Sequence, residues 1–244
     1  MGLRERFESF VKTMRGFEGV DALLRDDRRE KRRRADYLLS ERTIIVEQKV
    51  LKVDQAHRPQ QFIDRLIKER GILAYGRHST DAIFNRLPDG QKLKREMFLR
   101  MTKGFEEDIA VADKQTRDTR AIFSIPEAIG IVVILNEGAA ALPPELLGFG
   151  LHNVLNKRRN DGSIRYLYND GVVVISEAHV LIDSNGGRGL PCFATRTPQA
   201  RSPNLVDAFS ECLLQGWASF NNLPAMPVGQ AELAHAQPHS RPHP

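Results

Sequence analysis

The sequence predicts a mixed α/β fold, a central mixed β-sheet flanked by helices, with a helical insertion after an early hairpin. Three observations predict it. Thr43-Ile44-Ile45-Val46 is β-branched and apolar, and reads as the second strand of a hairpin over Ala35–Lys52. Ile129–Leu135 and Gly171–Ser176 are buried-type strands with a helix between them, an order that implies parallel, right-handed pairing. Between the hairpin and that unit, Val53–Ala128 is largely helical in its apolar spacing.

The elements follow in order. Leu3, Phe7, Phe10, Val11 and Met14 recur at helical spacing, so the chain opens with a core-facing helix, punctuated by Gly16 and Gly19. A second helix is expected from near Val20 into residues 25–34, RDDRREKRRR, which hold seven basic and three acidic side chains. That run reads either as a solvated face with internal ion pairs or as a phosphate-contacting patch. Asp54–Pro59 is a loop, and Gln60–Arg70 a helix with Phe62, Leu66 and Ile67 inward. Lys92–Thr119 carries the stripe Leu93, Met97, Met101, Phe105, Ile109 and Ala112, with Gly104 as a point where it breaks. Pro143-Pro144 opens a helix to about Arg159, placing Lys157, Arg158 and Arg159 at the negative end of its dipole. Asn160–Ser163 is a turn, Pro191–Thr195 an edge strand, and Asn204–Phe220 a helix around the lone Trp217. Residues 1–223 thus read as a single domain, and 224–244, rich in Pro and His, as a disordered tail in which His235, His239 and His243 could catch metal only loosely.

Several classes are set aside by composition. The net charge is +5, from 36 basic and 31 acidic side chains, a mild preference for a polyanionic partner. The two cysteines, Cys192 and Cys212, have neither metal-site spacing nor a disulfide framework, so a reducing cytoplasm is expected. No apolar signal region opens the sequence, and the longest apolar run, Ile129–Leu135, is too short to cross a bilayer; no membrane partner is expected. There is no Ser-His-Asp signal, zinc signature or dinucleotide fingerprint, so no organic cofactor is expected. Gly186–Gly189 lacks the Lys-Ser/Thr of a phosphate loop, and His152 and His179 read as core or rim histidines.

The chemistry concentrates on the hairpin. Its apolar second strand continues into Glu47, Gln48 and Lys49, where Ile45, Glu47, Lys49 and Leu51 share one face. With a turn centred on Glu41-Arg42, or a four-residue loop over Ser40–Thr43, Asp36 faces Glu47 and Leu38 faces Ile45; a three-residue loop would move Asp36 off this face. Glu-Arg is not a favoured two-residue turn. Two carboxylates placed opposite one another destabilise the pair, and a hard divalent cation reverses the sign of that interaction. The bland alternative is an exposed edge hairpin in which Asp36, Glu47 and Lys49 form an ion-pair network.

Asp36, ten intervening residues and then Glu47-Gln48-Lys49 spell D-x10-E-x-K. This spacing, with a helix before the hairpin and a strand-helix-strand unit after it, resembles the PD-(D/E)xK nuclease superfamily over roughly residues 1–180. It departs from the family at Ala35, where Pro is common, and in the insertion that delays the third strand. The resemblance implies a restriction-endonuclease-like core. It implies that Asp36 and Glu47, with the backbone carbonyl of Gln48, hold Mg²⁺ or Mn²⁺. Lys49 would orient the attacking water or stabilise the charged transition state. An additional acid from the first helical region would be Glu18, with Glu8 in reserve. Apart from the resemblance, Gln60 and Gln61, on the helix after the hairpin, read either as contacts to the scissile backbone or as ordinary helix-surface glutamines. The expected function is a metal-dependent nuclease acting on nucleic acid, DNA rather than RNA, and cutting a duplex would suit a homodimer. The alternatives are a catalytically inactive nuclease-fold protein serving as a nucleic-acid-binding or assembly module, and an unrelated α/β protein whose Glu-Gln-Lys is incidental.

Overall fold

The computed structural model describes residues 1–24, 33–51, 58–71, 80–182, 188–225 and 237–238. Within them the β-branched runs meet in one open, mixed, six-stranded sheet. Its strands are β1 (Glu18–Gly19), β2 (Tyr37–Leu39), β3 (Ile44–Val50), β4 (Ile129–Asn136), β5 (Gly171–Ser176) and β8 (Cys192–Arg196), in the spatial order β1-β2-β3-β4-β5-β8. β3, β4 and β5 run parallel, and the remaining pairings are antiparallel. β3 lies directly beside β4, so the helical insertion is the crossover between two neighbouring strands. A small second sheet joins β6 (His179–Ile182), β7 (Arg188–Gly189) and β9 (Gln237–Pro238), none of which the sequence pattern announces.

Both faces of β4 and β5 are covered, as parallel strands require. On one face Ile129, Ile131, Val133, Leu135, Val173 and Ile175 meet α1 (Leu3–Val11) and α7 (Pro203–Phe220) through Phe7, Phe10, Leu213 and Trp217. On the other, Leu51, Val132, Ile134, Val172 and Val174 meet the insertion helices α3 (Arg58–Arg70), α4 (Thr80–Asn85) and α5 (Gly90–Phe123), together with α6 (Pro144–Leu155). A short α2 (Val20–Leu23) precedes the hairpin.

The hairpin closes through the four-residue loop Ser40–Thr43, which keeps the same register. Thr43 N–H donates to Ser40 C=O at 3.1 Å, and Ser40, Glu41 and Arg42 all take left-handed backbone, with φ of 49°, 51° and 64°. Left-handed backbone costs an ordinary residue roughly 1–2 kcal/mol. Neighbouring contacts hold it. Ser40 N–H donates to Arg15 C=O at 3.0 Å, and the Arg42 guanidinium grips Glu18 at 2.6 Å. Gly16 passes so close that a Cβ there would lie 2.8 Å from the Glu41 nitrogen.

Three expectations need correction. α5 is one continuous 34-residue helix through Gly104. The ~1 kcal/mol cost of a helical glycine is outweighed by burial of Met101, Phe105, Ile109 and Ala112 around it. α6 stops at Leu155, because the next backbone groups find hairpin partners: Arg165 N–H donates to Lys157 C=O and Arg159 N–H to Ser163 C=O, both at 2.8 Å. Lys157 pairs with Glu106 at 2.6 Å instead of serving the end of α6. From the stretch read as a tail, Gln237 and Pro238 pair with β6, while His235, His239 and His243 lie outside the described residues, as do residues 25–32 of the basic run. Among the described residues no helix is long and apolar enough to cross a membrane.

A buried ion pair ties the layers together. Arg120 on α5 meets Asp170 at 2.7 Å, and Asp170 also accepts the backbone N–H of Gly130 and of Arg201, both at 2.8 Å. Removing one member of such a pair strands a charge in the interior. Arg120→Met should therefore lower stability by roughly 3 kcal/mol or more in urea titration. A loss of less than about 1 kcal/mol would mean that the pair contributes little to folding.

Candidate functional site

β2 and β3 pair with Tyr37 opposite Val46, Leu38 opposite Ile45 and Leu39 opposite Ile44. One further rung in this register sets Asp36, the residue before β2, against Glu47. Leu38 and Ile45 fill the same face with Val20, Ala35 and Ala128, so the two acids continue a buried apolar row. Glu47 is 2% exposed. Glu47 lies mid-strand on β3, opposite Val132 of β4.

The hydrogen bonds are specific. Lys49 Nζ donates to Glu47 Oε1 at 2.6 Å and to Gln115 Oε1 at 2.8 Å. Asp36 Oδ2 accepts the Gln48 N–H at 2.7 Å. The Gln48 side chain points to the opposite face, where it meets the Tyr37 hydroxyl at 3.3 Å. Glu47 Oε2 is buried and has no hydrogen-bond partner among the described residues.

Burial dominates the electrostatics. It pushes the Glu47 carboxyl up to about 8, aided by the nearby charge of Asp36 and opposed by Lys49 and Gln115. Burial also raises the Asp36 carboxyl, against the pull of the Gln48 N–H and of Lys49. Each acid is thus disfavoured as an anion, and Lys49, a cation acting on both, is bonded to Glu47.

The other residues singled out by sequence fall in different places. Glu18 stands opposite Leu38, toward the turn from Asp36, and its carboxylate is taken up by Arg42. That guanidinium holds it below the usual range. It does not join Asp36 and Glu47. Glu8 pairs with Arg4 along α1 at 2.8 Å, and the charge of Arg4 reaches Asp36. Gln61 lies exposed on α3, and the Gln60 side chain is outside the described residues. His179 is fully buried, bonded to the Ala140 carbonyl at 3.0 Å, and His152 is exposed on α6. Among the described residues no group of three or more His, Cys, Asp or Glu is placed to hold a metal.

Gln115 is the residue that sequence reasoning passed over. A signal existed. The stripe Leu93 to Ala112 continues at the same spacing onto Gln115, Thr116 and Thr119, polar residues where apolar ones are due. Set against family models, curated proteins and solved structures, the chain matches none.

Glu47 carries a testable pH dependence. Between its ordinary 4.5 and its folded value of about 8, the folded chain keeps a proton that the unfolded chain has released. The associated stability is full below 4.5, declines as the pH rises towards 8, and is then spent. Without divalent cations, Glu47→Gln should flatten that part of the thermal stability profile and melt above the wild type at alkaline pH. Parallel profiles for the two proteins would show that Glu47 is ionised throughout.

Proposed function

We propose that this chain is a divalent-metal-dependent nuclease with a restriction-endonuclease-like core, hydrolysing phosphodiester bonds in nucleic acid, DNA being the first substrate to test. The observation that carries the reading is the Asp36–Glu47 pair, Glu47 buried and Asp36 half-buried, with one oxygen of Glu47 left without a partner and Lys49 beside it. A cation satisfies that oxygen and turns the mutual repulsion of the acids into shared attraction. The donor set is hard oxygen, which suits Mg²⁺ or Mn²⁺. Mg²⁺ is commonly held by only one or two carboxylates, with water and substrate phosphate supplying the rest.

On this reading Asp36 and Glu47 hold the metal, with the Gln48 carbonyl as a third donor. The bound ion would neutralise phosphate charge and ease deprotonation of the attacking water. The rest falls to the chain itself. An ammonium has three donors, of which Lys49 commits one to Glu47 and one to Gln115. The third can meet a phosphoryl oxygen as its charge grows, a preorganised contact of the kind that lowers barriers most. Burial of the acids excludes water and strengthens every charge interaction at the site. The net charge of +5 mildly favours a polyanionic partner.

One observation favours a second reading, a nuclease-fold protein that binds nucleic acid without cutting it. Lys49 is paired directly with Glu47, and no third acid joins them among the described residues. Incubation of DNA and RNA substrates with Mg²⁺, Mn²⁺ or chelator separates the two. Metal-dependent cleavage should fall by about 100-fold or more in Asp36→Ala and in Lys49→Ala. Binding that survives both substitutions, with no turnover by the wild type, would favour the second reading. Cleavage that persists in both would place the active site elsewhere.

A further inference from the structure

The peptide leading into Asp36 is gripped at both of its polar ends by a single helix. The Arg34 carbonyl accepts the Gln115 side-chain amide at 2.7 Å. The Ala35 N–H, the other end of that same peptide unit, donates to Thr119 Oγ1 at 2.8 Å. Gln115 and Thr119 are one turn apart on α5 and share a face. Thr119 is fully buried and Ala35 nearly so, so water does not compete for the bond between them. On its far side Asp36 is held again, because its carbonyl accepts the Val20 N–H at 3.0 Å. Few free torsions remain between these anchors and the Asp36 carboxylate. The second polar atom of the Gln115 amide, Oε1, accepts Lys49 Nζ. One side chain on α5 therefore touches both the segment leading into β2 and, through Lys49, β3.

We propose that Gln115 and Thr119 are positioning residues for the hairpin site, Thr119 aligning Asp36 through the 34–35 peptide and Gln115 setting the place of the Lys49 ammonium. Their catalytic consequence rests on the nuclease reading; their mechanical role does not. The insertion between β3 and β4 is then a working part of the site as well as a crossover. Gln115 contributes an amide, which can donate to a carbonyl and accept from an ammonium at once. Neither Glu nor Lys can do both in ionised form.

The test uses the full chain and three variants. Thr119→Val keeps the shape and removes the acceptor, Thr119→Ser restores it, and Gln115→Met keeps the length and removes both bonds. The first readout is NMR amide exchange at Gln48, whose N–H is protected by the Asp36 carboxylate, with amides of β4 and β5 as the reference for overall stability. Thr119→Val and Gln115→Met should each speed Gln48 exchange by about tenfold relative to that reference, and Thr119→Ser should stay near wild type. Gln48 exchange that is unchanged, or that moves only in step with β4 and β5, overturns the proposal. Gln115 is partly exposed, so its variant decides the matter if Thr119→Val does not fold. The second readout is steady-state cleavage, in which both disruptive variants should lower kcat with KM unchanged. Selective loss of Gln48 protection in a chain whose wild type does not cleave would uphold the positioning role and remove the nuclease reading.

Discussion

The register between β2 and β3 is the constraint on which the site depends. Side chains alternate along a strand, so a slip of one residue would send Asp36 to the face of Tyr37 and Gln48, away from Glu47. Core and turn both hold the register against this. Leu38 and Ile45 are buried against Val20, Ala35 and Ala128, and a slip would trade them for polar neighbours. At the turn, left-handed Glu41 and Arg42 are kept in place by Arg15, Gly16 and Glu18. The segment between α1 and α2 therefore serves as a brace for the turn, which accounts for the engagement of Glu18 there and not beside Asp36.

The insertion gains meaning from the same geometry. β3 and β4 are neighbours and parallel, and such strands must be joined by a crossover. This one is long, and its last helix returns across the face that carries Glu47 and Lys49. The apolar part of α5 covers the sheet through Phe105, Ile109 and Ala112. Its last turns change character, offering Gln115 and Thr119 to the hairpin and Arg120 to Asp170. One helix thus buries the core along most of its length and orders polar groups where it ends.

Much of this was legible before any coordinates. The hairpin, its register, the parallel strands Ile129–Leu135 and Gly171–Ser176, and the helices around Phe7 and Trp217 follow from apolar period and turn residues. What escaped depends on partners distant in sequence. Gly104 looked like a break because propensity is local, whereas the packing that overrides it comes from other elements. Lys157–Arg159 looked like a helix end because the competing hairpin bonds to Ser163 and Arg165 leave no periodic trace. Gln115 was hidden for the same reason: its partners lie 66 and 81 residues away. The acids Asp36 and Glu47 were legible because an apolar run that turns charged on one face is a local anomaly.

How this chain buries its other acids gives that anomaly its weight. Asp170 receives Arg120 and two backbone N–H groups, so both of its oxygens are engaged. Asp113 takes the Tyr168 N–H. Glu47 is as deeply buried, faces another acid, and leaves Oε2 with no hydrogen bond among the described residues. A fold that can satisfy a buried carboxylate so fully at Asp170 has no structural need for an incomplete one in the middle of a β-strand. An apolar residue at position 47 would pack against Val132 without the desolvation cost. Thr116, Arg120 and Asn169 also leave buried polar atoms without a hydrogen bond, but among the described residues Glu47 is the one buried acid left so. That unpartnered Oε2 is the observation on which the proposed metal site rests.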